Sequence, residues 1–138
     1  MTGSGGQRSG GDVTTAEFSF LPSPGQRLLE IRLSGLWSMM SAERYAAARR
    51  LAFDDMAAHG CTPGVMRILV DRSAQTVQTA EVVAKLDAIV AQGPSVLRTA
   101  VVVSSMLHKL QAERLGTPGP MAVFLTREAA MVWLSEIE

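Results

Sequence analysis

The densest group of chemistry-bearing side chains in the sequence is Asp71-Arg72-Ser73, with Thr76 and Thr79 just beyond. It follows Val65 to Val70, a stretch that is apolar apart from Arg67 and reads as a buried strand ending in Asp71. In open α/β sheets, ligands collect beyond the C-terminal ends of strands. A helix that starts there adds free N–H groups and a partial positive charge, so Arg72 and the hydroxyls could hold an anion. Ser104-Ser105 closes a second apolar run, Ala100-Val101-Val102-Val103, and offers the same chemistry. These residue types are also the ordinary formers of caps and turns, and that reading stands beside the first.

Other single residues invite a role. Arg49 lies one turn from Tyr45 and one turn from Phe53, close to an apolar helical stripe. There it could bind an anionic head group, pair with Glu43 or Asp54, or snorkel to solvent. Eight methionines are many for this length, and Met39, Met40, Met56, Met66, Met106 and Met121 could line an adaptable apolar pocket or simply fill a core. Trp37 and Met39-Met40 fall between a strand and a helix, where an exposed apolar group would mark an interface or a pocket mouth. His59 and Cys61 sit at a helix C-terminus, a field that does not favour a thiolate. His108 has no evident nucleophile or ligand as partner.

Catalytic signatures are missing. The sequence contains no Walker A loop, no Gly-x-Gly-x-x-Gly after a strand, no Gly-x-Ser-x-Gly and no His-Glu-x-x-His. An enzyme built on Asp71, Ser73 and Ser104 would lack a histidine base for its hydroxyls. Two histidines and one cysteine cannot build a Cys/His-rich structural zinc site. We expect no catalysis, no metal and no cofactor.

The elements that must position these residues amount to one domain. The chain has 138 residues, of which 47% are hydrophobic and 19% charged, so a folded core is expected. Its 13 basic and 13 acidic side chains cancel, which argues against a nucleic-acid partner. Apolar runs are far shorter than the roughly twenty residues of a spanning helix. The lone Cys61 allows no internal disulfide. Residues 1–14 are rich in Gly and Ser and read as a flexible tail without the apolar segment of a signal peptide, so a cytoplasmic location is expected. Residues 15–138 form the expected domain.

Patterning divides that domain into alternating elements. Glu17 to Phe20 suits an edge strand, and Pro22-Ser23-Pro24-Gly25 a turn. Arg27 to Ser34 alternates, with Leu29, Ile31 and Leu33 inward and Glu30 and Arg32 outward, and the short gap implies antiparallel pairing. Ser41 is placed to cap a helix running to His59, stopped by Gly60. A second helix is expected over Gln75 to Gln92, carrying Val82, Val83, Leu86, Ile89 and Val90 inward. Arg98 to Ser104 is a strand, and Leu107 to Leu115 a short helix closed by Gly116, Thr117 and Pro118. Met121 to Leu125 is a last strand. Thr126 then caps a helix that turns Ala130, Trp133 and Leu134 inward. The order β-β-α-β-α-β-α-β-α predicts an α/β domain with a mostly parallel sheet of about five strands, the first antiparallel.

Leu69-Val70-Asp71, Ala100-Val101-Val102-Val103, and Phe124 followed by Glu128-Ala129 and Trp133-Leu134 together resemble the SpoIIAA-like group of STAS-fold proteins. The resemblance spans roughly residues 16 to 136 and implies a non-enzymatic domain that binds partners, nucleotides or small ligands. It also implies likeness in fold to lipid carriers of the Sec14 type. Anti-sigma-factor antagonists of that group carry an Asp-Ser-Ser-Gly-type segment with a phosphorylated serine. Here Thr79, Ala80 and Glu81 stand near its place, so no phosphosite carries over. The expectation is a binding or regulatory module working through protein–protein contact, or else a carrier or sensor of a small apolar or amphipathic ligand. Homodimerisation through Trp37 and its apolar neighbours would fit either.

Overall fold

A computed structural model describes residues 17–114 and 120–136 of the chain. The expected tail over residues 1–14, the expected domain start at Thr15 and the helix-closing segment around Gly116 lie outside the described residues.

Five strands form one sheet in the order β1-β2-β3-β4-β5. They are β1 (Glu17–Ser23), β2 (Leu28–Gly35), β3 (Arg67–Gln75), β4 (Arg98–Val102) and β5 (Met121–Phe124). β1 pairs antiparallel with β2, and the three remaining ladders are parallel. The hairpin between β1 and β2 turns through a short 3-10 segment, Pro24–Gln26, with Arg27 at φ 55°. The first strand therefore runs through Pro22 and Ser23, later than the expected turn. Pro22 is tolerated because β1 is an edge strand, where a missing N–H breaks no second ladder.

Four helices cover the sheet: α1 (Met39–Ala58), α2 (Ala80–Gln92), α3 (Met106–Arg114) and α4 (Arg127–Ser135). Side chains alternate between the two faces of a strand. On one face Leu29, Ile31, Leu33 and Ile68 pack against Ala42, Tyr45, Phe53 and Met56 of α1 and Val82 of α2. Phe18, Phe20, Trp37 and Tyr45 join there in an aromatic cluster, with Trp37 and Tyr45 rings 5.2 Å apart edge to face. On the other face Leu69, Ala100 and Val102 pack against Ala130 and Leu134 of α4. Burying a leucine such as Leu134 contributes about 1.5–3 kcal/mol. Arg67 and Arg98 are direct cross-strand neighbours and donate to the Leu134 and Trp133 carbonyls, at 3.2 and 2.6 Å. Two cations thus close the negative end of α4.

Several expectations need correction. Gln75 to Thr79 is not helical. β3 continues to Gln75 through a bulge, because Ala74 and Gln75 still find Ser34 and Gly35 as partners, and α2 starts only after Thr79 caps it by accepting from the Val82 N–H. The strand expected from Val65 starts only at Arg67, because Val65 closes a 3-10 turn, Pro63–Val65. The cap of α1 is Ser38, not Ser41. The two hydroxyls form a reciprocal capping box, Ser38 accepting from the Ser41 N–H at 3.1 Å and Ser41 from the Ser38 N–H at 3.3 Å. β4 and β5 each end earlier than expected, at Val102 and Phe124, and Val90 is exposed. Glu30 does not face solvent: it is buried, because Arg127 at the start of α4 covers that face of β2. Among the described residues, no helix is long and apolar enough to cross a membrane.

Candidate functional site

Alternation along β3, and a bulge after Asp71, place the predicted site residues. Arg32 pairs with Asp71 and Ser34 with Ala74, so Arg72 and Ser73 both stand opposite Leu33. Asp71 Oδ1 accepts from the Ser73 N–H at 2.9 Å and from the Ser73 hydroxyl at 2.6 Å, a local turn that holds the bulge. Beyond the bulge Gln75 shares a face with Arg72, whose Nε donates to Gln75 Oε1 at 3.0 Å. Arg72 lies half-buried beneath α1 and α2. Burial draws its pKa down, opposed by the Asp87 carboxylate and by Tyr45. Among the described residues, Gln75 Nε2 is buried without a partner.

Asp71 and Ser73 remain on the opposite face, where they meet residues that the sequence reading missed. Ser19, Arg32 and Asp71 form a row across β1, β2 and β3. With Ser34 and Ser73 they line a cleft of about 280 Å³. Arg32 is not free there: its Nε donates to Glu30 Oε2 at 3.2 Å. Arg127 donates to the same carboxylate at 3.0 and 3.3 Å, and these bonds hold the Glu30 carboxyl below the usual carboxylate range. The only sequence signal for this cluster was alternation in β2, which pointed Glu30 outward.

Thr76 and Thr79 take structural posts. Thr79 caps α2, and the Thr76 carbonyl accepts from Gln78 Nε2 at 2.6 Å. Gln78 Nε2 also donates to the Gly35 carbonyl at 2.8 Å, while its Oε1 accepts from the Trp37 N–H at 2.8 Å. This glutamine, which no motif announced, fastens the loop after β3 to the loop after β2.

Trp37 is not at a surface. Only 3% of it is exposed, its indole N–H donates to the Ser34 carbonyl at 2.9 Å, and it cannot serve as an interface residue in this conformation. Met39 is half-buried against the core, while Met40 is exposed. Met56 and Met66 are fully buried core residues. Arg49 stacks its guanidinium 4.6 Å over the Phe53 ring, on the α1–α2 side.

Ser104 and Ser105 lie beyond β4. Ser105 accepts from the His108 N–H at 3.2 Å and so caps the first turn of α3. The Ser104 hydroxyl lies 3.2 Å from His108 Nδ1, a contact between hydroxyl and imidazole that the sequence reading did not foresee. Serine and histidine in contact are two of the three parts of an activated nucleophile; the third is a group that orients the base. The predicted residues thus divide among two faces and two loops instead of converging on one centre. Among the described residues, no group of three or more His, Cys, Asp or Glu side chains could hold a metal ion.

No family model and no curated protein matches the sequence. Among solved structures, the chain is similar to an uncharacterized protein of the DUF3478 family with a SpoIIAA-like fold, from Shewanella loihica PV-4. The TM-score is 0.63 at 16% sequence identity, over 92% of this chain and 99% of the other. A single α/β domain with a five-stranded, mostly parallel sheet, its first strand antiparallel, and four helices is therefore a SpoIIAA-like fold.

Proposed function

We propose that the chain is a non-enzymatic binding module that acts through protein–protein contact, using the end of the sheet where the parallel strands finish. One observation carries this reading. Of the eleven large hydrophobic residues that are exposed among the described residues, six follow the C-terminal ends of β2 to β5: Leu36, Met40, Val77, Met106, Leu107 and Leu125. Val77, in a loop that Gln78 holds in place, is 76% exposed, and Met40, in the first turn of α1, is 69% exposed. Apolar groups gathered at one end of a domain leave water when a partner covers them, and a loop already fixed loses little entropy on docking. Balanced charge fits recognition by apolar surface rather than by a long-range field.

The test is recovery of a stoichiometric partner from native lysate with wild type, with Val77→Asp, and with Val132→Asp on the outer side of α4. Partner retained by wild type and Val132→Asp but lost by Val77→Asp supports the reading. No partner under several conditions, or equal retention by both variants, overturns it. Sizing of the same three proteins separates a second copy of the chain from a foreign partner.

A further inference from the structure

A second surface, on the α1–α2 side of the sheet, carries a different chemistry. A groove of about 460 Å³ runs between the two helices. Arg49, Arg50, Phe53 and Asp54 reach it from one side of α1, at helical spacings of one, three and four residues. Lys85 and Ile89 reach it from one side of α2, four residues apart. Three cations and one carboxylate therefore line the same groove. None of Arg49, Arg50, Lys85 and Asp54 is in an ion pair among the described residues. Ala46, Phe53, Ala57 and Ile89 supply apolar lining beside these charges. Arg49 stacks on Phe53, and Gly93 leaves the space it occupies, since a Cβ there would fall 2.8 Å from Arg49 Nη1.

We propose that this groove binds a small amphipathic anion. Its carboxylate or phosphate lies among Arg49, Arg50 and Lys85, and its apolar part lies along Phe53 and Ile89. Volumes of a few hundred Å³ with apolar lining and a few fixed polar groups are those of small-ligand sites. A guanidinium already stacked on an aromatic ring loses little freedom when it takes up an anion. The surplus of positive charge selects an anion over a neutral or cationic amphiphile. The site shares no residue with the exposed apolar groups at the end of the sheet, so each proposal can fail alone.

The experiment follows backbone amide shifts of labelled full-length protein during titration with decanoate, decyl phosphate, decanol and inorganic phosphate. Decanoate or decyl phosphate should shift amides of residues 46–57 and 85–93 saturably. The tighter of the two identifies the head group as carboxylate or phosphate. Lys85→Glu and Arg50→Glu should each weaken that binding about ten-fold or more, the loss of one hydrogen bond to a charged group. Gly93→Ala, which displaces Arg49 without removing its charge, should weaken it too, and Val77→Asp should leave it unchanged. Absence of saturable shifts in wild type overturns the proposal. So does decanol binding as tightly as decanoate, or inorganic phosphate matching decyl phosphate. Unchanged affinity in both charge variants would also exclude this site.

Discussion

Glu30 and Arg127, 97 residues apart in sequence, form a two-pronged ion pair that fastens the first turn of α4 to β2. An arginine in the first turn of a helix faces the positive end of the dipole, and Glu30 offsets that repulsion. The partners are unequally buried: the Glu30 side chain is 8% exposed and that of Arg127 is 47%. Arg127→Ala would leave a buried carboxylate with Arg32 as its remaining cation, destabilising the fold by about 2 kcal/mol. Glu30→Ala would leave two arginines that water can reach, destabilising by only about 1 kcal/mol. Urea unfolding at neutral pH checks the order. If Glu30→Ala proved the more damaging, the asymmetry argued from burial would be wrong.

The same pair sets a pH dependence. The Arg127 and Arg32 bonds hold the Glu30 carboxyl below its ordinary value of 4.5, against the opposing effect of burial. In the unfolded chain that value is restored, so on acidification the unfolded state takes up the proton first. The contribution of Glu30 is therefore complete above about pH 4.5 and is lost as pH falls through the lowered value. Stability curves of wild type and Glu30→Gln should be furthest apart near neutrality and converge in acid. A constant difference across that range would mean that ionisation of Glu30 contributes nothing.

Much of the fold was legible because each element obeys one local rule. Alternation of Leu29, Ile31 and Leu33 marked β2, and Thr126 before Ala130, Trp133 and Leu134 marked α4. The β3–α2 junction was not legible. Gln75 to Thr79 has no strong helix breaker, and what keeps it out of the helix is the pairing of Gln75 with Gly35, forty residues away in sequence, together with the bonds of Gln78 to Gly35 and Trp37. Glu30 misled for a related reason: a strand shows which residues alternate, but not that a helix from the far end of the chain covers its polar face. The candidate site fared likewise. Asp71, Arg72 and Ser73 are adjacent in sequence, so strand alternation divides them between opposite faces, and a bulge, which no short pattern encodes, then brings Gln75 onto the face of Arg72.

Gln78 is the residue whose removal should be felt beyond its own position. It bonds the Gly35 carbonyl and the Trp37 N–H, so Gln78→Ala breaks two links between the loops and leaves Trp37, deeply buried, with an unpaired amide. The expected destabilisation is about 1–2 kcal/mol. Hydrogen exchange should quicken first at residues 35–38 and 76–79, before any change in the centre of the sheet. Equal quickening everywhere would show that Gln78 contributes only global stability. No quickening would show that the two loops hold without it.

Asp71 gives the sharpest choice between chemistry and structure. Its Oδ1 accepts both the backbone N–H and the hydroxyl of Ser73, which fixes the bulge that brings Gln75 onto the face of Arg72. For that post the oxygen matters and the charge matters little. Asp71→Asn, which keeps an acceptor at the same reach, should stay within about 0.5 kcal/mol of wild type, while Asp71→Ala should lose about 1–2 kcal/mol. Any reaction that used Asp71 as a base would be abolished by both substitutions alike. Thermal and urea unfolding of the two variants, read beside whatever partner or ligand binding the wild type shows, decides the matter. Binding retained in Asp71→Asn and weakened in Asp71→Ala assigns Asp71 to the turn. Loss in both, with stability intact in Asp71→Asn, assigns it to direct contact through its charge.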